Sequence, residues 1–119
     1  MRNPALEMDL DKFRNISPLT LDVTNLEQIN DTIADLLKTT SIDVVFNNAG
    51  YGLAGPFEGA TDQQIQQEIN TNLMGVPRVT KAFIAYFREK GSGIFINTTS
   101  IGGLVAYPLN SLSCHEMGY

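Results

Sequence analysis

The feature that most limits what this chain can become is the nonapeptide 42–50, Ile-Asp-Val-Val-Phe-Asn-Asn-Ala-Gly, in which an apolar run turns abruptly polar. Val44, Val45 and Phe46 favour β structure and show no polar alternation, so they suit a strand buried on both faces, the kind found in parallel sheets. Asn47 and Asn48 follow at once, and Gly50 ends the strand. A second stretch repeats the pattern: Ile94, Phe95 and Ile96 run into Asn97, Thr98, Thr99 and Ser100, then into Gly102 and Gly103. In open α/β sheets ligands bind beyond the carboxyl ends of parallel strands, so amides and hydroxyls placed there are candidates for holding a ligand. Buried amides also need partners of their own, and satisfying neighbouring backbone groups is the other reading of Asn47 and Asn48.

The rest of the pattern surrounds these two strands. Residues 16–23, where Leu19 and Leu21 alternate with polar neighbours, read as a short strand, and Thr24 with Glu27 fits a capping box. Leu26, Ile29, Ile33, Leu36 and Leu37 then recur at spacings of three and four, the stripe of a helix with one face on a sheet. Gly52, Gly55-Pro56 and Gly59 mark residues 51–60 as a loop, and Thr61-Asp62 can cap the next helix. From Gln63 to about Glu89, a long helix is traced by Ile65, Ile69, Leu73, Val76, Phe83, Ile84 and Phe87. Pro77 removes one backbone donor inside it and predicts a kink there, and Gly91-Ser92-Gly93 stops it. Ahead of all this, residues 1–13 read as a loop leading into a helical patch over 6–13. Strand, helix, strand, helix, strand is the order of a parallel sheet, so the chain is α/β.

Charge and composition narrow the function classes. With a formal charge of −5 and eight scattered Lys and Arg, the chain has no basic patch for nucleic acid or an anionic membrane surface. No apolar stretch approaches the ~20 residues of a membrane span. Cys114 is the sole cysteine and cannot form an internal disulfide, which makes a cytoplasmic setting the expectation. Cys114 and His115 lack further ligands nearby, so no metal site is expected.

Four segments, in order and at compatible separations, carry a family likeness: Leu21-Asp22-Val23-Thr24, Asn47-Asn48-Ala49-Gly50, Asn72-Leu73-Met74-Gly75, and residues 96–103, Ile-Asn-Thr-Thr-Ser-Ile-Gly-Gly. Over residues 2–112 the chain resembles the short-chain dehydrogenase/reductase family. That resemblance implies a doubly wound, Rossmann-like α/β fold with a parallel sheet, present here as a single partial NAD(P)-binding domain over 1–119. It implies hydride transfer between a nicotinamide and a small-molecule alcohol or carbonyl, with a serine polarising the oxygen and a tyrosine, its pKa lowered by a lysine, moving the proton. Ser100 matches that serine, and Asn72 matches the asparagine that holds a water of the proton relay. Asp22 and Val23 match the adenine pocket, and Asn48, Ala49 and Gly50 lie against the cofactor. Arg2 falls where members that prefer NADP carry a partner for the 2′-phosphate, which tilts the cofactor from NAD(P) at large towards NADP. Each residue also has a structural reading: Asp22 as a helix-start residue, Asn72 as an amide satisfying a broken helix, Ser100 as a strand end, Arg2 as an exposed arginine.

The likeness departs from the family at both ends. At the family's separation from Ser100, the tyrosine and lysine fall on Ser113 and Met117, and residues 1–119 contain no counterpart of the family's glycine-rich phosphate loop. The expectation is an internal fragment that lacks the first two strands and the C-terminal part of the fold. It would begin at an internal methionine, end after a reading-frame change near Leu112, and lack catalytic competence as it stands. The segment 16–23 would then be a strand without native neighbours, while the strands at Ile42 and Ile94 pair in parallel under the long helix. A reading from a different class is a non-enzymatic binding or dimerisation module derived from a dehydrogenase, assembled as a homo-oligomer through that helix.

Overall fold

A computed structural model describes residues 13–105. Arg2, all but the last residue of the helical patch expected over 6–13, and positions 113–119 lie outside them. The elements in chain order are helix α1 (Leu26–Thr39), strand β1 (Val44–Asn47), helix α2 (Asp62–Asn72), helix α3 (Gly75–Lys90) and strand β2 (Ile94–Asn97). Short 3-10 turns lie at Phe57–Gly59 and Ile101–Gly103. β1 and β2 pair in parallel, from Val44 opposite Ile94 to Asn47 opposite Asn97, as the sequence pattern predicts.

α1 forms because its apolar stripe has a core to meet: Ile29 and Ile33 are buried and Leu37 packs beside them. Its cap is Asn25, not Thr24. The Asn25 side chain accepts the Gln28 N–H at 3.0 Å, while Thr24 donates both its N–H and its hydroxyl to Asp22. Thr61 caps α2 as expected, in a complete capping box with Gln64.

The long helix breaks earlier than expected. Leu73 and Met74 both donate to the Ile69 carbonyl at 3.0 Å, ending α2 in a wide turn. Pro77 is the third residue of α3, where an N–H has no partner within the helix in any case. The proline therefore sits at a helix start, not at a bend. At the far end, Gly91 closes α3 with φ of 75°, the left-handed conformation that glycine takes without strain.

The core joins Ile29 and Ile33 of α1, Val45 of β1 and Val79, Phe83 and Phe87 of α3, with Phe95 of β2 packed on it. α1 and α3 pack together and so serve the same side of the sheet. Here the expectation of strands buried on both faces is corrected. Side chains alternate along a strand, so Val45 and Phe95 turn to the helices while Val44, Phe46, Ile94 and Ile96 stay 46%, 61%, 58% and 48% exposed. No element among the described residues covers that second face.

The strand expected over 16–23 does not form. A strand needs a ladder, and β1 pairs with β2 alone in the described sheet. Leu21 and Val23 fold onto the core instead. The end of the segment is tied down locally, Asp22 N–H to Gln28 Oε1 at 2.7 Å and Asn25 N–H to the Asp22 carbonyl at 3.0 Å.

Candidate functional site

The two strands end side by side in asparagine, and their side chains tie the ends together. Asn47 Nδ2 donates to Asn97 Oδ1 at 2.8 Å and to Thr80 Oγ1 on α3 at 3.3 Å. One residue further on, Thr98 N–H donates to the Asn47 carbonyl at 2.9 Å, and Thr98 Oγ1 donates to Asn48 Oδ1 at 2.7 Å. Part of the amide question is thereby answered in favour of structure: Asn47 and Asn48 hold the two diverging loops at a fixed separation.

Asn72 ends α2 opposite the loop that leaves β1. Its side chain grips the Tyr51 backbone on both sides, Oδ1 accepting the N–H at 3.0 Å and Nδ2 donating to the carbonyl at 2.8 Å. A Cβ at Gly50 would come within 3.1 Å of Asn72 Oδ1, so the missing side chain there lets the clamp close. On the β2 side, Ser100 Oγ accepts the Gly102 N–H at 3.1 Å and caps the 3-10 turn. That bond leaves the hydroxyl proton to donate elsewhere and makes the O–H the stronger donor.

Asn48, Ala49, Gly50, Asn72 and Ser100 line one cleft of about 420 Å³, with Tyr51 and Val76, at the carboxyl ends of the strands. Val23, Asn48 and Ala49 share an adjoining apolar recess. The approach of Val23 to α3 is close: a Cβ at Gly75 would meet Val23 Cγ2 at 2.9 Å, so only glycine fits there. Asp22 faces a third, more polar cavity with Thr24, Gln67 and Tyr51, and Tyr51 borders the main cleft as well. Five of the eight residues singled out in the sequence thus share the main cleft, Asp22 and Val23 flank it, and Arg2 lies outside the described residues.

Two groups escaped the sequence reading. Glu68 is fully buried, and its Oε1 accepts the Leu53 N–H at 3.2 Å. A signal was present: Glu68 precedes Asn72 by four residues, so one face of α2 carries both. The other is a Tyr-x-x-x-Lys spacing at Tyr86 and Lys90, which the structure places at the opposite end of β1 from the cleft. Lys90 Nζ donates to the Asp43 carboxylate, the Ile42 carbonyl (2.8 Å) and Ser41 Oγ (3.0 Å). The Tyr86 hydroxyl accepts the Ile42 N–H at 3.0 Å and shares a hydrogen bond with Ser41 Oγ at 3.2 Å. This is a clasp between the end of α3 and the start of β1.

The clasp makes a pH prediction. Hydrogen bonding to Asp43 holds Lys90 above the ordinary lysine value of 10.5, so its contribution to stability is full below that value and is lost as pH rises through the folded-state pKa. Tyr86 works with the opposite sign. Its hydrogen bond with Ser41, then that from Ile42 N–H, holds the phenol below its ordinary 10.0, so the folded state gains as pH rises. In a Tyr86→Phe background, which removes the opposing contribution of the phenol, the unfolding midpoint should drop above about pH 10.5 relative to Tyr86→Phe/Lys90→Met. Parallel pH profiles for the two would show that the clasp contributes nothing.

The sequence model of the short chain dehydrogenase family matches residues 4–112. The chain belongs to the short-chain dehydrogenase family. An uncharacterised oxidoreductase of Schizosaccharomyces pombe is 37% identical to it over 113 residues, which cover 94% of this chain and 48% of that protein. A 3-ketodihydrosphingosine reductase of Bacteroides thetaiotaomicron is 36% identical over 91 residues, 76% of this chain and 34% of that one. Among solved structures, an ElxO variant with NADPH bound matches with a TM-score of 0.88 at 29% identity, over 99% of this chain and 50% of that one. This short-chain dehydrogenase chain therefore spans about half the length, or less, of the relatives it matches. Its partial Rossmann-like fold agrees with the α/β expectation.

Proposed function

We propose that the chain is part of an NAD(P)-dependent oxidoreductase that interconverts a carbonyl and an alcohol, and that the cleft takes the nicotinamide side of the cofactor. The observation that carries this reading is the convergence of Asn48, Ala49, Gly50, Asn72 and Ser100 on one cleft at the strand ends. The residues present suit a dinucleotide: the small Ala49 and Gly50 leave room for close approach, Val23 lines the apolar recess, and its chain neighbour Asp22 lines the polar cavity beside Tyr51. In this reading Asp22 and Val23 meet the adenine, and Asn48, Ala49 and Gly50 lie against the ribose and nicotinamide. Ser100, its Oγ oriented by Gly102 N–H, donates its proton to the carbonyl oxygen. Asn72 fixes the loop at Tyr51 and holds a relay water. When bound, the cofactor supplies or accepts the hydride.

NADP is favoured over NAD. Arg2 can pair with a 2′-phosphate, and the matching ElxO structure has NADPH bound. The whole of 1–119 acts as one partial cofactor-binding domain in a cytoplasmic setting, with a homo-oligomer formed through α3. The chain contains no tryptophan, so enhancement of NADPH emission on titration reads binding against a low background. NADPH should bind, Gly50→Val should weaken it at least tenfold by filling the wall beside Asn72, and the α1 surface change Lys38→Ala should leave it unaltered. Absence of NADPH binding, or equal binding by the Gly50 variant, would overturn the reading.

A further inference from the structure

We propose that Glu68 is a positioning residue for the cleft, a role that rests on the cofactor reading above. The two buried residues of α2 are both polar, Glu68 and Thr71. The Thr71 hydroxyl turns back to the Gln67 carbonyl within its own helix at 3.0 Å. Glu68 reaches out, and its carboxylate accepts the Leu53 N–H at 3.2 Å. One helical turn later, on the same face, Asn72 holds the N–H and carbonyl of Tyr51. A single rigid helix therefore grips the loop on both sides of Gly52.

Those grip points coincide with a boundary between cavities. Tyr51 and Gly52 line the cleft with Ser100, while Leu53 opens the next cavity, which runs through Gly55 and Phe57 to Gln64. The Leu53 N–H bond is thus where the wall of the cleft is anchored. Packing alone does not explain an acid at this position. The isoleucines of α2, Ile65 and Ile69, are only half-buried while the acid is fully buried, and a buried carboxylate is a poor source of stability compared with a leucine of similar size. What the carboxylate adds is a fixed path for the loop, so that the cleft wall is in place before ligand arrives.

Amide hydrogen exchange by NMR on the whole chain, with NADPH titration in parallel, tests this. In the wild type the Leu53 amide should exchange at least tenfold more slowly than that of Gly52. Glu68→Gln keeps an acceptor and should hold both Leu53 protection and NADPH affinity within threefold. Glu68→Leu keeps the packing but removes the acceptor. It should lower Leu53 protection at least tenfold and weaken NADPH about tenfold, with the Ile29 and Val79 amides unchanged. Leu53 exchanging as fast as Gly52 in the wild type overturns the proposal whatever the variants do. So does a Glu68→Leu protein that folds and keeps wild-type Leu53 protection or NADPH affinity. Failure of the wild type to bind NADPH at all would overturn the cofactor reading instead, while the Leu53 exchange rates still decide whether Glu68 holds the loop.

Discussion

Gly93→Ala is expected to lower the unfolding midpoint by roughly 10 to 20 °C, a loss of about 3 kcal/mol. A Cβ at Gly93 would stand 2.2 Å from Phe87 Cγ and 2.4 Å from both Cδ atoms, well inside any van der Waals contact. The ring has little room to withdraw. Phe87 is buried, with the Phe83 ring centroid 6.0 Å away, Tyr86 5.7 Å and the edge-on Phe95 5.0 Å. A methyl group forced in here displaces either the aromatic cluster or the first residues of β2, and each supports the pairing with β1. Gly91→Ala separates this steric effect from backbone strain. Gly91 has positive φ but open space around it, so alanine there should cost only about 1 kcal/mol. A double-mutant cycle isolates the clash: once Phe87 is replaced by alanine, Gly93→Ala should add little. Thermal unfolding followed at 222 nm reads all five proteins: wild type, the three single variants and the double variant. A Gly93→Ala midpoint within a few degrees of wild type, or the same loss in the Phe87→Ala background, would rule out the clash as the cause.

What could be seen in the sequence was what depends on near neighbours. The α1 stripe, the Thr61 cap and the two apolar strands ending in asparagine are local patterns, and each has its counterpart in the structure. The cleft was legible for the same reason: Asn48, Ala49 and Gly50 share one motif, and Ser100 ends the strand that pairs with theirs. Failures occurred where the deciding partner is distant. Residues 16–23 alternate like a strand, but alternation does not supply a ladder, and the segment settled on the core through Leu21 and Val23. Pro77 announces a missing donor without saying whether it lies inside a helix or in its first turn, and the wide turn at Ile69 decided that. Tyr86 and Lys90 carry the spacing of a proton-transfer pair, yet their surroundings, Ser41, Ile42 and Asp43, lie more than forty residues away in sequence and at the other end of the strand. Spacing identifies a helix face, and only the fold determines what that face meets.

Asn72→Asp should produce a defect that heals on acidification. The substitution preserves shape and the acceptor for the Tyr51 N–H, but it replaces the Nδ2 donor, 2.8 Å from the Tyr51 carbonyl, with a carboxylate oxygen. Two acceptors then face each other, and the folded state is destabilised by about 1 to 3 kcal/mol at neutral pH. Protonation restores a donor. The contact disfavours the charged form, so the new aspartate has a folded-state pKa above its unfolded value of about 3.9, and the folded state binds the proton more tightly. By linkage the deficit relative to wild type is full above the folded pKa and shrinks as pH falls through it towards the unfolded value. Asn72→Ala, which has nothing to titrate, should instead lose a constant amount across the same range. The measurement is the difference in unfolding free energy from wild type between about pH 4 and pH 8 for both variants. If the clamp on Tyr51 shapes the cleft, NADPH affinity will follow the same pH course in the aspartate variant and stay uniformly low in the alanine one. A pH-independent aspartate variant would show that the Tyr51 carbonyl does not depend on Asn72 for its partner. Stability that recovers without affinity would separate the clamp from the cofactor site.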